Sequence, residues 1–306
     1  MNSKGAQLAQ SVADVALQET LDLLEWPRLC EYVATFASTS QGCRECKRLS
    51  LPIDLATSRE RLAETIEIGE LDVFIDGGLN FQGIYDLADI LTRCVKGGVV
   101  SGEELLKVAD TLFAARRLRR QIDNSQVRPV ISALLVNLVT LPDLEKILRL
   151  GLEEGGRVAD QASRNLRDLR LRWQKMRSER RTILQDLIRR NISILQDTAI
   201  GDRNGRTVLA LKVGTIDQIQ GVVHSSSASG NTVFLEPHSV IGLGNRIAAI
   251  ESEIYKEEIS LLADWSAAVG LNSSSIEHLG QVMLKLDLAL ARARFGDWLG
   301  GVPPVF

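Results

Sequence analysis

The chain has 306 residues, of which 45% are hydrophobic and 25% are charged, as in proteins that fold around hydrophobic cores. These values exclude a collagen-like chain, a wholly disordered chain and a small disulfide scaffold. Aromatic residues make up only 5% and there are 7 prolines, whereas leucine, alanine, arginine and glutamate recur, which favours long helices. With 36 basic and 39 acidic residues the net charge is -3, so binding to nucleic acid or membrane requires a local patch.

The cysteines and the hydropathy pattern predict the cellular compartment in which the protein is found. Cys30, Cys43, Cys46 and Cys94 all lie in the first third of the chain. Because no secretory segment precedes them, we expect free thiols in a reducing compartment. Cys43 and Cys46 have C-x-x-C spacing, but without a second pair we predict no zinc or redox site. No apolar run approaches the roughly 18 residues that span a bilayer, so we predict no membrane association and a cytoplasmic protein, or a plastid one in a plant.

The N-terminal half is predicted to be a helical domain over 17–157, after a flexible segment over 1–16. Apolar residues recur there at three- and four-residue steps between segments rich in glycine or proline. Ser101 and Glu104 have the spacing of a capping box, which places a helix start at that point. The helical patterns cover residues 17–36, 41–49, 55–71, 84–96, 101–122 and 130–150.

A strongly basic segment follows this domain. Residues 164–190 contain 10 lysines and arginines but only 3 acidic residues. Leu166, Leu169, Trp173, Leu184 and Leu187 lie among them at helical spacing and form one apolar face. No proline or glycine occurs from 158 to 200, so we predict one long helix over that range.

A second long helix is predicted over 238–272, and it is acidic where the first is basic, with Glu251, Glu253, Glu257 and Glu258 outside its apolar face. A lone helix of about 40 residues cannot bury its own apolar face, so the two helices are expected to pair antiparallel. The runs 206–213, 218–224 and 232–235 between them predict three strands of a small antiparallel sheet. A last helix over 277–299 is expected to return to the helical domain, because Val282, Leu286, Leu290 and Phe295 require a core.

Together these elements predict a mainly α fold. A helical core domain carries two long antiparallel helices with a small antiparallel β-sheet at their tip, in the manner of a stalk or clamp. The segments are 1–16, the core 17–157, the outgoing helix 158–200, the sheet 201–237, the returning helix 238–272 and a C-terminal segment 273–306.

Several motifs resemble one protein family. Residues 83–87 (GIYDL), 96–106 (KGGVVSGEELL), 109–112 (ADTL) and 115–118 (ARRL) are similar to the N-terminal core of the MutS-II family, whose members are related to the mismatch repair protein MutS. Residues 195–197 (LQD), 203–206 (RNGR), Lys212 and above all 221–237 (GVVHSSSASGNTVFLEP) resemble that family's clamp. The resemblance extends from about residue 21 to 296, with the motifs in the expected order.

The resemblance implies a MutS-type core, lever helices forming a coiled coil, and a clamp. It also implies that full-length members are homodimers, with an ATPase domain that uses ATP and Mg²⁺ and often a small MutS-related nuclease domain. This chain contains no G-x-x-x-x-G-K-[ST] motif, so its residues are not expected to hydrolyse ATP or to bind a cofactor. We therefore interpret the chain as a fragment or a truncated gene product without an enzymatic activity of its own.

The candidate site is a nucleic-acid interface without catalytic or metal-binding residues. Arginine outnumbers lysine nine to one in the basic helix, which favours phosphate because a guanidinium binds two phosphate oxygens at once. A solvated helix face, a simple turn at 225–230 and a histidine that only closes that turn remain as alternatives. The candidates on the helix are Arg164, Arg167, Arg170, Arg172, Lys175, Arg177, Arg180 and Arg181, and those in the sheet region are Arg206, Lys212, His224, Ser227, Ser229 and Asn231.

Two functions from different classes remain open, together with a third without nucleic acid. The first is sequence-independent binding of branched or mismatched DNA, linked to suppression of recombination or to mismatch repair. The second is a grip on RNA or on collided ribosomes during ribosome rescue, since arginine on a stalk contacts phosphate in either polymer. In the third, the chain is only an interaction scaffold.

Overall fold

Helices form most of this computed structural model, which describes residues 17–52, 54–122 and 124–305. The chain divides into two compact units. Of the described residues, the first unit combines those of 17–157 with 263–305, and the second consists of 158–262. The segment 1–16, predicted to be flexible, lies outside the described residues. Each unit encloses a hydrophobic cluster of its own.

In the part of the chain that the structure describes, the first unit consists of helices and the segments that connect them. Its helices are α1 (17–23), α2 (Trp26–Ala34), α3 (Ser40–Cys46), α4 (Leu55–Phe74), α5 (Ala88–Val95), α6 (Gly102–Ile122), α7 (Pro129–Leu135), α8 (Pro142–Gly151), the end of α10 (His238–Leu271) from residue 263, and α11 (Ser273–Trp298). The central element is α11, in which Val282, Leu286 and Leu290 are buried, as the sequence predicts.

Local sequence signals explain where several of these helices begin. At α6 the predicted capping box is confirmed, because the Ser101 amide donates to Glu104 Oε2 at 2.9 Å and the Glu104 amide donates to Ser101 Oγ at 3.3 Å. The pattern over 130–150 forms two helices rather than one, since Pro142 lacks an N–H and occupies the first turn of α8. Glu25, with φ of 51°, separates α1 from α2 within the predicted helix 17–36.

The second unit contains α9 (Arg164–Arg190), a four-stranded sheet and the part of α10 (His238–Leu271) that ends at Leu262. The return helix begins where it was predicted. The outgoing helix is shorter than the predicted 158–200, because residues 160–162 form a separate 3-10 turn and the chain leaves the helix at Asn191. Residues 195–200, predicted to be helical, lie in a strand.

The sheet has four antiparallel strands in the order β1-β2-β4-β3. The strands are β1 (Leu195–Arg203), β2 (Arg206–Lys212), β3 (Gly221–Ser226) and β4 (Thr232–Pro237). Three were predicted, and β1 was missed. Asn204 and Gly205, with φ of 54° and 76°, join β1 to β2 in the conformation of a two-residue type I′ hairpin.

One face of the sheet packs where α9 ends and α10 begins. Leu184 of α9 and Val240 of α10 are buried in a single cluster with Leu209, Leu211 and Leu235 of the sheet. The sheet therefore lies at one end of the helix pair. The predicted fold class, mainly α with a small antiparallel sheet at the tip of two long helices, is confirmed.

The four cysteines are free thiols, as expected from the sequence. Cys46 is fully buried in the first unit. Burial raises the pKa of its thiol to about 12, so the thiol stays protonated at neutral pH. Cys43 and Cys46, despite their spacing, are part of the packing of α3 against α11.

Candidate nucleic-acid interface

The basic helix α9 is built on a narrow apolar face. Leu166, Leu169 and Leu184 are buried, whereas most of the arginines are exposed. The helix starts at the N-cap Ser163, whose hydroxyl accepts a hydrogen bond from the Leu166 amide at 3.4 Å. Because leucines on one face of the helix provide the packing, its remaining faces can carry charged side chains.

Hydrogen bonds between α9 and α10 fix the antiparallel pairing. Ser163 Oγ donates to Glu257 Oε1 at 2.7 Å, and further along α9 the Trp173 indole N–H donates to Glu251 Oε1 at 2.8 Å. As residue numbers rise along α9 they fall along α10, as in an antiparallel pair. The acidic residues of α10 thus neutralise positive charge only on the side of α9 that faces them.

Arg170, which was predicted to contact nucleic acid, is instead engaged in the pairing of α9 with α10. Its side chain is only 9% exposed and forms ion pairs with Asp160 and, at 2.6 Å, with Glu258. Burial by itself would lower the pKa of Arg170, but the hydrogen bonds to Glu258 and Asp160 raise it, so the guanidinium remains charged. With its N–H groups directed at two carboxylates, Arg170 stabilises the helix pair instead of forming part of the exposed basic surface.

The other basic residues predicted on α9 reach the surface. Arg180 is half-buried, and the others are exposed. They are Arg164, Arg167, Arg172, Lys175, Arg177 and Arg181.

An open groove of about 940 Å³ lies between α9 and the strands β1 and β2. We call it the α9 groove. Four arginines and no acidic residue line it. The remaining lining is apolar or neutral. The arginines are Arg177, Arg180, Arg181 and Arg189, the apolar residues are Trp173, Leu184, Ile188 and Ile200, and the neutral polar residues are Gln174, Ser178, Gln185, Thr198 and Thr207.

The charge of this groove is largely uncompensated. Arg180 and Arg181 have no ion-pair or hydrogen-bond partner within the residues that the structure describes. The Arg177 guanidinium lies over the Trp173 ring, 4.5 Å from its centroid, and Arg189 pairs with Asp186. The groove therefore presents cations to a ligand that brings its own negative charge.

The predicted residues of the sheet region are mostly engaged with neighbouring protein groups. Arg206 Nη1 donates to Asn245 Oδ1 at 2.7 Å, and Lys212 Nζ donates to a main-chain carbonyl, that of Ser193, at 2.8 Å. His224 Nε2 lies 2.8 Å from Glu236 Oε2, whose side chain is 5% exposed. His224 of β3 thus contacts a buried carboxylate of β4.

The serine-rich turn after β3 is stabilised by its own hydroxyls. The Thr232 amide donates to Ser227 Oγ at 3.1 Å, and the Ser227 and Ser229 hydroxyls lie 3.3 Å apart. Asn231 is exposed, and its carbonyl accepts a hydrogen bond from the Val213 amide at 3.3 Å. These contacts agree with a turn, but the turn is shorter than the interpreted 225–230, because Ser225 and Ser226 lie in β3.

The α9 groove brings together only Arg177, Arg180 and Arg181 of the fourteen predicted site residues. Sequence analysis missed the neutral residues of the groove and Arg189. These residues were missed because strand β1 was not predicted, and the groove exists only where that strand runs beside α9. The dipeptide Asn204-Gly205, a strong hairpin signal, marks the end of that strand in the sequence.

The described part of the chain lacks two other features. No cluster of three or more histidine, cysteine, aspartate or glutamate side chains has the arrangement of a metal site there. Among the same residues, no helix combines the length and the apolar character needed to cross a bilayer.

Comparison with known proteins relates the chain to one group. No protein-family model matches it. A protein of Synechocystis named Endonuclease MutS2 is 38% identical over 287 residues, which cover 94% of this chain and 35% of that protein. Proteins of the same name from Symbiobacterium thermophilum and Clostridium perfringens are 30% and 29% identical over 90% and 93% of this chain.

The chain spans 35% to 36% of the length of these three relatives. The similarity covers both units, including α9, the sheet and α10. Nearly the whole of this chain is therefore similar to a segment that makes up about a third of the length of proteins named Endonuclease MutS2. This similarity supports its relationship to the MutS family.

Proposed function

We propose that this chain is part of a MutS-II protein and that its second unit binds the backbone of branched or mismatched DNA without sequence specificity. The α9 groove carries this proposal, because four arginines line it without a single acidic residue. Arginine and lysine neutralise phosphates irrespective of base sequence, which provides most of the affinity of non-specific binding.

The proposal assigns no catalytic step to these residues. ATP, Mg²⁺ and nuclease chemistry belong, in this view, to other parts of a full-length homodimeric MutS-II protein. The chain contributes affinity for DNA, and the cellular role we infer is suppression of recombination or mismatch repair. RNA enters the test below as a competing ligand, because phosphate groups alone do not distinguish the two polymers.

The test is fluorescence anisotropy of the full chain with a four-way DNA junction, duplex DNA and a structured RNA, at about 50 mM and 200 mM salt. We expect binding that weakens steeply with salt and is tightest for the junction. Tighter binding to the RNA than to either DNA contradicts the choice of DNA. No binding to any of the three at low salt contradicts nucleic-acid binding and leaves the scaffold function.

A charge variant locates the binding surface. Replacing Arg177, Arg180 and Arg181 by glutamine should weaken binding to all DNA ligands and reduce the salt slope by about one unit for each phosphate that the variant no longer neutralises. The matched control replaces three exposed basic residues of the first unit, Arg48→Gln, Lys96→Gln and Arg120→Gln, and changes the net charge equally. Equal loss of affinity in both variants would show that only overall charge matters.

A further inference from the structure

We propose that the α9 groove accommodates an unpaired polynucleotide strand, with a base stacked on Trp173 and Arg177. This inference rests on the proposed function and names the part of branched or mismatched DNA that this site recognises, namely a segment whose bases are unpaired. It is carried by a combination of side chains that binding to a duplex backbone alone does not require.

The first observation is that the groove is apolar as well as cationic. Ile188, which is half-buried, and Ile200, which is exposed, line it together with the arginines. A duplex presents phosphates and sugars on its outside and keeps its base faces stacked in its interior, so an apolar lining can reach only sugars and base edges. An unpaired strand exposes base faces beside every phosphate, and both halves of the lining then have a partner.

The second observation is an oriented aromatic ring in the groove. The Trp173 indole N–H is bound to Glu251 on α10 at 2.8 Å, which holds the half-buried ring in place. Arg177 lies over that ring. Aromatic rings and guanidinium planes are the two surfaces on which proteins stack unpaired bases. The platform is therefore formed before a ligand arrives.

The third observation concerns neutral polar groups. Gln174 and Gln185 on α9, and Thr198 and Thr207 on the strands, line the groove, and their side chains have no hydrogen-bond partner within the described residues. Amide and hydroxyl side chains donate and accept hydrogen bonds, as base edges do. A ligand that bound by charge alone, such as an acidic peptide, would not use them together with the stacking platform.

The test compares ligands of equal phosphate number that differ in their bases. Single-stranded DNA, the corresponding RNA, an abasic single strand and a blunt duplex are bound by the full chain at one low salt concentration. We expect either unpaired strand with bases to bind about tenfold more tightly than the abasic strand. Preference for the DNA or for the RNA strand identifies the polymer, and tight binding of either one supports the proposal.

Substitution of the ring provides the second measurement. Trp173→Leu should weaken binding of the unpaired strand about tenfold more than binding of the duplex, without a change in the salt slope. Trp173→Phe retains a ring and should restore most of this loss, whereas a fold defect would not be rescued. Circular dichroism of both variants checks that the helices are intact.

Equal affinity for the abasic strand, or equal weakening of duplex and unpaired strand by Trp173→Leu, would overturn the inference. Displacement of the strand by poly-glutamate of matched charge at equal concentration would also overturn it, since any polyanion would then suffice. The proposed function fails differently: the chain then binds no nucleic acid, or the substitution of Arg177, Arg180 and Arg181 has no more effect than its control.

Discussion

Arg170 and Arg172 are both basic residues of α9, but only Arg170 is buried. Replacing Arg170 by methionine would remove its ion pairs with Asp160 and Glu258. Because both carboxylates retain some exposure, we expect a loss of about 2 kcal/mol in the free energy of unfolding of the second unit, near the value for hydrogen bonds to charged groups. Urea titration followed by circular dichroism measures this loss.

Arg172→Met is the control for that experiment, because Arg172 is exposed on the same helix and should change stability by no more than about 0.5 kcal/mol. Equal effects of the two substitutions would show that the ion pairs of Arg170 contribute nothing beyond those of a surface residue. DNA affinity should fall more for Arg172→Met than for Arg170→Met, since Arg170 is not available to phosphate.

At the scale of a residue, the position of Arg170 in the sequence indicates that its side chain is buried. Arg170 lies four residues after Leu166 and three before Trp173, on the apolar face of the predicted helix. A guanidinium at such a position needs carboxylate partners in order to be buried. Which carboxylates supply them depends on the register of α9 and α10, and helical spacing in one segment does not give the register between two.

The hairpin between β1 and β2 allows a test at the scale of an element. Gly205 has φ of 76°, and a Cβ atom at that position would contact nothing within 4 Å. Gly205→Ala therefore introduces backbone strain without a steric clash, and we expect a loss of about 1 kcal/mol. Hydrogen exchange of the amides of β1 and β2, followed by mass spectrometry, measures it.

Gly214 offers a matched control in the same unit, since a Cβ atom there also meets nothing and its φ is not positive. Gly214→Ala should leave the exchange of β1 and β2 unchanged or slower, because alanine reduces the conformational freedom of the unfolded chain. If both substitutions accelerate exchange equally, the left-handed conformation of Gly205 is not what stabilises the hairpin.

The error in the length of α9 has a physical cause. Helix termination was predicted from proline and glycine, and neither occurs between 158 and 200. The helix ends at Asn191, whose φ and ψ of -124° and 23° are not helical, and whose side-chain amide donates to the Leu187 carbonyl at 2.9 Å. Asparagine is a weaker stop signal than glycine, so the strand that follows was not recognised.

At the scale of the whole molecule, composition and helical spacing were sufficient for the mainly α class and for the two long helices. They were not sufficient for the association of distant segments. Trp265 near the end of α10 lies against Gly151, where a Cβ atom would come within 2.4 Å of its ring, and Ser266 Oγ accepts a hydrogen bond from the Val100 amide at 3.1 Å. Such long-range contacts leave no periodic signal, and the apolar pattern of α10 continues without interruption through residue 262.

The division of α10 between two units leads to a prediction for the whole chain. Leu286 and Leu209 are fully buried in the first and second units, and each contributes to the core of its own unit. Leu286→Ala should destabilise the first unit, and Leu209→Ala the second, each by about 2 to 5 kcal/mol. Because the cores are separate, we expect each substitution to accelerate hydrogen exchange only in its own unit.

The decisive peptides are those of α10. Amides before Leu262 should respond to Leu209→Ala, and amides from Ala263 to Leu271 should respond to Leu286→Ala, so that the boundary of cooperative unfolding falls inside one continuous helix. Exchange measured by mass spectrometry in about 1 M urea resolves the two sets, since each unit then opens often enough to be detected. If either substitution accelerates exchange along the whole of α10 to the same extent, the helix couples the two cores into one cooperative unit.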